Sequence, residues 1–371
     1  MSALSNLTIV DMSRILAGPF ATQNLADMGA NVIKIEHPKG DDTRRWGPPF
    51  VERADGTTDA TYYFCVNRNK TNVLLDFTLE TDRAQLIKLI KTADVLVENY
   101  KVGGSKKYNV DYASIQQINP NIIYCSITGF GQSGPYKDRP GYDALIQAMG
   151  GLMSITGEAD GAPQKVGVAV VDLMTALYAT TAILAAVNHR HITGQGQHID
   201  IALFDVQASM LANQASAYLM SGQIPMRQGS SHPSIAPYQP LRVKDGYIIL
   251  AIGNDAQFVQ FCQSAGCAEL ASDERFATNN ARVAHRTELE TALSPHMMGK
   301  SIDEWVTLGE QYGFPCGPIN TIDRVFNDAQ LLSRDMVVTT EDGYRLVGNT
   351  MKFSATPIKE FQTPPSLRKH K

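Results

Sequence analysis

The stretch from Leu7 to Glu36, LTIVDMSRILAGPFATQNLADMGANVIKIE, places a helix-like segment between two short apolar runs. The runs LTIVDM (7–12) and NVIKIE (31–36) are rich in β-branched residues, which is typical of buried strands. Apolar strands separated by helices indicate a parallel sheet that is covered on both faces. The stretch therefore predicts a strand–helix–strand unit of an α/β sheet.

The same alternation continues along the first half of the chain. Three further apolar runs follow: NVLLDF (72–77), DVLVEN (94–99) and NIIYCSIT (121–128). Five such runs predict a doubly wound, Rossmann-like parallel sheet. Residues 173–188 are apolar nearly all round a helix, which predicts a helix buried on every side. After residue 221, a segment rich in Gly, Ser and Pro predicts a linker before a smaller α+β domain.

The composition is that of an ordinary globular protein: of 371 residues, 43% are hydrophobic and 19% are charged. The net charge of −4 does not favour nucleic acid as a partner. No uninterrupted apolar run approaches the ~20 residues that span a bilayer, so no membrane partner is expected, and the N-terminus does not resemble a secretory signal. The five cysteines have no C-x-x-C spacing, which argues against disulfides or zinc and favours the reducing cytoplasm.

One carboxylate, Asp172, lies in the otherwise apolar run VGVAVVDLMTALYAT (166–180). An ionised acid is rare among such residues unless it has a partner or takes part in chemistry. Asp is also favoured at the N-cap position immediately before a helix. A helix cap and a catalytic acid are therefore both open explanations.

Two motifs point to other ligands. The segment GFGQSG (129–134) matches the dinucleotide pattern G-x-G-x-x-G, but it follows the fifth strand instead of the first and precedes Pro135. A glycine-rich loop without a nucleotide is favoured. His189 and His191 have no carboxylate or cysteine near them at ligand spacing, which favours a basic helix end over a metal site.

Basic residues recur in the loops that follow the predicted strands. They are His37, Lys39, Arg44, Arg45, Lys101, Lys106, Lys107, Lys137 and Arg139. Ligands of an open α/β sheet bind at the carboxyl ends of its strands, where basic side chains suit a ligand with several phosphates. Solvated loop charges explain the same spacing equally well.

Eight segments, in a fixed order, resemble the class III CoA-transferases, the family of formyl-CoA transferase, carnitine CoA-transferases and α-methylacyl-CoA racemase. They are LAGPFATQNLADMGANVIKIEHPKGDDTR, NRNKTNVLLD, DVLVENY, SITGFGQSGPY, GYDALIQAMGGLMSITG, VAVVDLMTALYA, TGQGQHIDIALFD and MKFSATP. The segments DDTRRWGPPFV, TYYFCVNRNK and CGPINTIDRVF look most like the succinate–hydroxymethylglutarate (glutarate) branch.

The resemblance implies a domain organisation and an assembly. It implies a large CoA-binding α/β domain at 1–225, completed by 326–371, and a small α+β domain at 226–325, with linkers near 205–230 and 325–345. It also implies an interlocked, ring-like homodimer. The chain ends at PPSLRKHK, where relatives continue with a further helical segment.

The resemblance gives Asp172 the position of the family's catalytic aspartate. This residue attacks an acyl-CoA thioester, and the exchange passes through a mixed anhydride and an aspartyl-CoA thioester. Helix-terminal amides are expected to hold the carboxylate and keep it ionised. Coenzyme A is the only cofactor implied, as an acyl-CoA substrate, and no metal is implied.

The resemblance also assigns residues to the CoA site. These are Leu16, Ala17, His37, Leu75, Thr78, Asn99, Tyr100, Lys101, Lys107, Pro140, Tyr142 and Asp143. Tyr142 also matches a donor to the acyl group, and Gly229 lies in the loop that covers the intermediate in relatives. The branch implies a dicarboxylic acid, such as succinate donating CoA to glutarate. By position alone, Arg14 and Arg45 are candidates to pair with its second carboxylate.

Three other functions compete with this one. An α-methylacyl-CoA racemase uses a His in a G-H-D context, where this chain has Tyr142, and Tyr is a poor base at neutral pH. Retention of Asp172 argues against a CoA-binding scaffold without activity. An NAD-dependent oxidoreductase depends on GFGQSG alone.

Overall fold

The computed structural model describes residues 2–367, which form two compact units. The first unit contains the chain up to Leu152, then Lys165–Gln223 and the chain from Asp328. The second contains Met153–Gln164 and Ile224–Asn327. The family resemblance places residues 153–164 in the large domain. They belong instead to the second unit, where Arg227 bonds to the carbonyls of residues 158 and 161. Of the C-terminal segment PPSLRKHK, residues 368–371 lie outside the described residues.

The elements of both units are numbered in chain order. The strands are β1 (Thr8–Asp11), β2 (Asn31–Glu36), β3 (Phe50–Glu52), β4 (Thr58–Ala60), β5 (Lys70–Leu74), β6 (Val95–Glu98), β7 (Ile123–Thr128), β8 (His198–Ala202), β9 (Tyr238–Val243), β10 (Gly246–Ala251), β11 (Cys316–Pro318), β12 (Val337–Thr339) and β13 (Arg345–Val347). The helices are α1 (Ala17–Asp27), α2 (Thr61–Phe64), α3 (Glu80–Thr92), α4 (Tyr112–Ile118), α5 (Asp143–Met149), α6 (Leu152–Ile155), α7 (Val170–Thr193), α8 (Leu203–Met210), α9 (Ala212–Ser221), α10 (Asp255–Ala265), α11 (Asn279–Ala284), α12 (Arg286–Met297), α13 (Ile302–Tyr312), α14 (Ile322–Phe326) and α15 (Ala329–Ser333).

Six parallel strands form the sheet of the first unit, in the order β5-β2-β1-β6-β7-β8. Numbered among themselves, these strands run 3-2-1-4-5-6, which is the Rossmann order. The predicted parallel α/β sheet is confirmed. The strand pattern missed β8, because its sequence HIDIA follows a glycine-rich turn and has the charged Asp200 at its centre. Successive strands are added on one side of β1 as far as β5 and on the other side from β6 onward, so the strand order reverses between β1 and β6. Ligands of such sheets bind at this switch point.

Helices cover both faces of this sheet, because successive strand residues point to opposite sides. Ile9 and Val97 face the layer that contains α1 and α7, and both are completely buried. Val10 and Leu96 face the layer that contains α3 and α4 and are equally buried.

The helix α7 is buried on one side only. Ala176, Ala179 and Ile183 are buried against the sheet layer, whereas Leu177 and Tyr178 are 46% and 44% exposed. The prediction of burial on every side is therefore wrong for the single chain. By length and composition alone, α7 could also cross a bilayer, contrary to the expectation from apolar runs. Its packing on α1 and β7 identifies it as a core helix of the folded unit.

The strand β2 carries a buried carboxylate, Glu36, into an ionic cluster. The guanidinium of Arg44 lies 2.7 Å from Glu36 and 2.9 Å from Asp59, and it stacks 3.6 Å from the centre of the Tyr63 ring. It also donates to the carbonyl of Pro365 at 3.0 Å. Burial favours the neutral form of Glu36, but the hydrogen bonds and charge of Arg44 hold its pKa below the ordinary value. The cluster joins the sheet to the C-terminal tail.

The second unit has an antiparallel sheet in the order β11-β10-β9. Helices α10, α12 and α13 pack on it around a core that includes Phe258, Phe261, Trp305 and Phe314. The rings of Phe261 and Phe314 meet edge to face at 5.4 Å.

Candidate active site

A cleft opens at the switch point of the sheet, beyond the carboxyl ends of β1, β6 and β7. Its walls are the loops at 14–17, 99–102 and 137–142, the end of β7, Asp172 and Leu203. Nine of the residues predicted from sequence line it together: Arg14, Leu16, Ala17, Asn99, Tyr100, Lys101, Pro140, Tyr142 and Asp172. Parallel strands bring distant loops to one edge of a sheet, which explains the convergence.

The loop after β1 is held from two sides. Asn99 accepts from the Arg14 N–H at 2.9 Å and donates to the Arg14 carbonyl at 2.7 Å. On the other side, Asp41 accepts from the Ile15 N–H at 3.3 Å and pairs with the buried ammonium of Lys34 at 3.0 Å. Ile15 has a φ of 73°, which is costly for a β-branched residue. These contacts stabilise the loop in a conformation that the positive φ of Ile15 would otherwise make unfavourable.

The glycines of GFGQSG shape the opposite wall. A Cβ on Gly129 would lie 2.6 Å from the Cα of Gly141, so the two backbones are in direct contact. This contact brings residues 140–142 to the end of β7. Gly131 and Gly134 have φ values of 85° and 86°, which favour glycine. Loop geometry accounts for the motif without a dinucleotide.

Asp172 is the third residue of α7, and the N-cap position belongs to Ala169. The N-cap explanation for Asp172 is therefore wrong. The carboxylate of Asp143, at the start of α5, instead accepts from the N–H groups of Val171 at 2.9 Å and Asp172 at 3.4 Å. Asp143 thus satisfies amides that the end of a helix leaves without partners.

The environment of Asp172 makes it an unusual carboxyl group. Burial, and then the negative charge of Asp143, raise its pKa to about 7. The amides expected to hold the Asp172 carboxylate and keep it ionised donate to Asp143 instead, so they do not lower the pKa of Asp172. A carboxylate of higher pKa is a better base and nucleophile than an ordinary one, and at neutral pH its ionised form is still well populated.

Tyr62 is a neighbour of this site that the sequence reading missed. Burial, and then the charges of Cys65, Asp172 and Asp143, raise its pKa to about 12, so its hydroxyl lies in the field of both carboxylates. Its ring meets Trp46 edge on at 5.5 Å. A single tyrosine has no periodicity or spacing, so only the resemblance of the segment TYYFCVNRNK to the family could have found it.

Four predicted CoA residues lie outside the cleft, in the loops after β2, β5 and β6. They are His37, Leu75, Thr78 and Lys107. His37 Nε2 is 3.8 Å from an Asp76 oxygen. The ammonium of Lys107 lies 4.5 Å from the centre of the Tyr108 ring, which packs on Phe77 at 5.6 Å. These contacts place the four residues in one cluster along the sheet edge.

The structure does not place Arg45 in the cleft, and Gly229 belongs to the second unit. The guanidinium of Arg45 lies 2.9 Å from an Asp42 oxygen. Arg14, which lines the cleft, lies 3.5 Å from the same carboxylate. Gly229 is part of the second unit, where its N–H bonds to the Gly157 carbonyl at 3.1 Å.

The sequence matches the model of CoA-transferase family III over residues 4–371. The chain belongs to this family. A succinate–glutarate CoA-transferase of Agrobacterium fabrum is 48% identical over 99% of this chain and 93% of its own length. A human succinyl-CoA:glutarate CoA-transferase is 42% identical over 99% of this chain and 84% of its own length. A CAIB/BAIF family protein from Brucella suis superposes with a TM-score of 0.91 at 48% identity, over 98% of this chain and 96% of that one.

The transferase cleft offers cations and backbone groups to a ligand. Four basic side chains line it: Arg14, Lys101, Lys137 and Arg139. Within residues 2–367, no group of three or more His, Cys, Asp or Glu side chains is placed to hold a metal ion. His189 and His191 lie near the carboxyl end of α7.

Changing Asp143 to Asn is expected to move the acid limb of the pH–rate profile of this transferase to lower pH. The wild-type kcat/KM is expected to rise with pH through the pKa of Asp172, about 7, because a carboxyl group has to be ionised to act as a nucleophile. The variant removes the charge of Asp143, so burial alone raises that pKa, while the amide oxygen still accepts from Val171. The measurement is kcat/KM for the acyl-CoA across neutral pH, and an unchanged midpoint would contradict the electrostatic role of Asp143.

Proposed function

We propose that this transferase moves CoA from a donor of the succinyl-CoA type to a dicarboxylic acid through an aspartyl-CoA thioester on Asp172. The observation that carries the proposal is the position of Asp172. This carboxyl, with its pKa raised to about 7, lines a cleft whose other walls match the CoA segments of the family. Relatives named succinate–glutarate and succinyl-CoA:glutarate CoA-transferase support dicarboxylic substrates.

The chemistry exchanges one thioester for another. Ionised Asp172 attacks the thioester carbonyl carbon, the C–S bond breaks, and CoA leaves as a thiolate, which produces a mixed anhydride. The thiolate attacks the aspartyl carbonyl carbon, the donor acid leaves as a carboxylate, and CoA is bound to Asp172. The acceptor carboxylate reverses these steps and regenerates ionised Asp172. The bonds broken and formed are of similar energy, so no ATP is consumed.

The neighbours of Asp172 support these steps through their contacts. Asp143 holds the start of α7 and so fixes the direction of Asp172. Leu16, Ile127 and Leu203 form apolar walls, which exclude the water that would hydrolyse an anhydride. Tyr142 lines the cleft and is 63% exposed, so its hydroxyl is free to donate to the acyl group.

Coenzyme A is proposed to run along the sheet edge from the cleft. Asn99, Tyr100 and Lys101 would contact it beside the thioester end, with the backbone of Leu16 and Ala17 opposite. The cluster that contains His37, Leu75, Thr78 and Lys107 would hold the nucleotide end. The ammonium of Lys107 suits phosphate oxygens, with which it forms charge-assisted hydrogen bonds.

A homodimer of the interlocked type is also proposed. Leu219 and Met220 on α9 are 79% and 90% exposed in the single chain, in addition to Leu177 and Tyr178 on α7. Exposed apolar patches of this kind mark interaction surfaces. A second copy that covers them agrees with the family resemblance.

The five free cysteines agree with a place in the reducing cytoplasm.

Mass analysis of the CoA esters formed from succinyl-CoA and a panel of carboxylic acids tests this function. We expect a new CoA ester with glutarate or another dicarboxylic acid, without added ATP, because Asp172 stores the thioester energy. Matched monocarboxylic acids serve as the comparison. If no acid of the panel accepts CoA, the proposal is refuted.

Racemisation has less support than CoA transfer. Tyr142 stands where racemases of this family carry a His, and a phenol is a poor base at neutral pH. The Agrobacterium fabrum and human relatives are both named as CoA-transferases.

A further inference from the structure

We propose that Arg139 binds the far carboxylate of the dicarboxylic acid while its near carboxylate reacts at Asp172. This inference rests on the proposed function and assigns the residue that selects dicarboxylic over monocarboxylic acids. The candidates from sequence, Arg14 and Arg45, are less suitable because both are directed to the same carboxylate, Asp42.

Arg139 lies in the wall of the cleft that also contains Asp172 and Tyr142. Its guanidinium carbon is 3.9 Å from the centre of the Tyr136 ring, so one face of the planar group is covered. The Tyr136 ring in turn meets Phe130 edge on at 5.5 Å. This aromatic support holds the guanidinium in one plane and leaves its N–H edge free, which is the geometry for a bidentate carboxylate.

Arg139 also carries a charge without a partner. Across the part of the chain that the structure describes, no carboxylate lies within 4 Å of its guanidinium and no acceptor takes its side-chain hydrogens. The hydrogen bond of Arg139 runs from its backbone N–H to the Tyr136 carbonyl at 2.9 Å and helps to fix the loop. An arginine with one face stacked and its donors unused is prepared for an anionic ligand.

The loop that carries Arg139 is anchored beside the reacting centre. Residues 140–142 follow directly, and Gly141 is in backbone contact with Gly129 at the end of β7. Lys137 also lines the cleft, but its ammonium is a point charge on a flexible stem without a fork of donors. Arg139 is therefore the better match to a planar carboxylate.

The test compares acceptors of equal chain length, glutarate and pentanoate, with Arg139→Leu and Arg139→Lys. Because a covalent intermediate makes the kinetics ping-pong, kcat/KM for the acceptor does not depend on the donor. We expect Arg139→Leu to lower kcat/KM for glutarate about 100-fold, with pentanoate nearly unchanged. Arg139→Lys should recover part of the loss. Arg275→Leu is the matched control, because Arg275 also lies over a ring, that of Phe276 at 4.9 Å, but does not line the cleft.

Three results would overturn the inference. If Arg139→Leu lowered kcat/KM equally for glutarate and pentanoate, Arg139 would not bind the second carboxylate. Weaker binding of free CoA to Arg139→Leu, with acceptor selectivity unchanged, would assign Arg139 to the CoA phosphates. Wild-type protein that transfers CoA to no acid would remove the proposed function as well, whereas an active wild type, with an Arg139→Leu variant that keeps the wild-type preference for glutarate over pentanoate, removes this inference alone.

Discussion

Replacing Asp172 with Asn or Ala is expected to lower CoA transfer by at least about 10,000-fold. The side chain is the proposed nucleophile, and neither an amide nor a methyl group can form the anhydride or the thioester. Nearby Asp143 cannot replace it, because its carboxylate is bound to the N–H groups at the start of α7. The rate is measured with the best substrate pair of the wild type, and the mass of the Asn variant is checked for deamidation.

Asp205 provides a matched control for this prediction. It is the third residue of α8, as Asp172 is of α7, but it does not line the cleft. Asp205→Asn should keep wild-type activity. Hydroxylamine added during turnover should trap the activated acyl group on Asp172, as read by peptide mapping. Label on a different acid, or full turnover in Asp172→Asn, would contradict the assignment of the nucleophile.

Asp172→Asn also has an expected effect on the stability of the protein. The pKa of Asp172 is raised to about 7 in the folded chain, whereas an unfolded Asp titrates near 4. Between these values the folded state binds the proton more tightly, so this group lowers the stability of the wild type as the pH rises. Asp172→Asn removes that loss. Its melting temperature should therefore exceed that of the wild type above pH 7, which also shows that its inactivity is not unfolding.

Arg44→Met is expected to lower the free energy of unfolding by about 3–5 kcal/mol, the largest stability effect that the structure predicts. Arg44 is 4% exposed and is shared by the buried carboxylates of Glu36 and Asp59. Met fills much of the same volume but leaves both carboxylates without this partner in a region closed to water. The loss comes mainly from the buried charge of Glu36, because Asp59 keeps its ion pair with Arg53 at 2.7 Å.

The adjacent arginine is the matched control. The side chain of Arg45 is 58% exposed, and its pair with Asp42 is open to solvent. Arg45→Met should change stability by no more than about 0.5 kcal/mol, because exposed pairs are screened by water. Urea unfolding followed by circular dichroism measures both variants. Similar decreases in the free energy of unfolding for Arg44→Met and Arg45→Met would show that the buried cluster stabilises the protein no more than an exposed ion pair does.

The part of the fold that the sequence predicts is the part that depends on local patterns. The runs at 7–12, 31–36, 72–77, 94–99 and 121–128 each overlap a strand of the parallel sheet, because buried parallel strands are continuously apolar. β8 was missed because a strand with Asp200 at its centre does not have that pattern. The two-sided burial predicted for α7 was wrong because its composition does not say which face the single chain covers.

The residues of the candidate site also divide into those that the sequence indicated and those that only the structure brought together. Family motifs led to Asp172 and to the loops that meet at the cleft. The partners of those residues could not be derived from spacing: Asp143 caps α7 from 29 residues away from Asp172, and Asn99 holds Arg14 from 85 residues away. Nor did any pattern indicate that Tyr62 lies in the field of the two carboxylates.

By itself, the sequence of this protein determined five of the six strands of the parallel sheet, the kind of sheet they build and the carboxylate to examine, because periodicity and motif are properties of neighbouring residues. Only the tertiary structure decided that Asp143 occupies the amides at the start of α7, that the pKa of Asp172 rises to about 7, and that Arg139 lies against Tyr136 with its donors free. The physical reason is that burial and charge at a point depend on every group within a few ångströms. The folded chain brings those groups together from positions far apart in sequence.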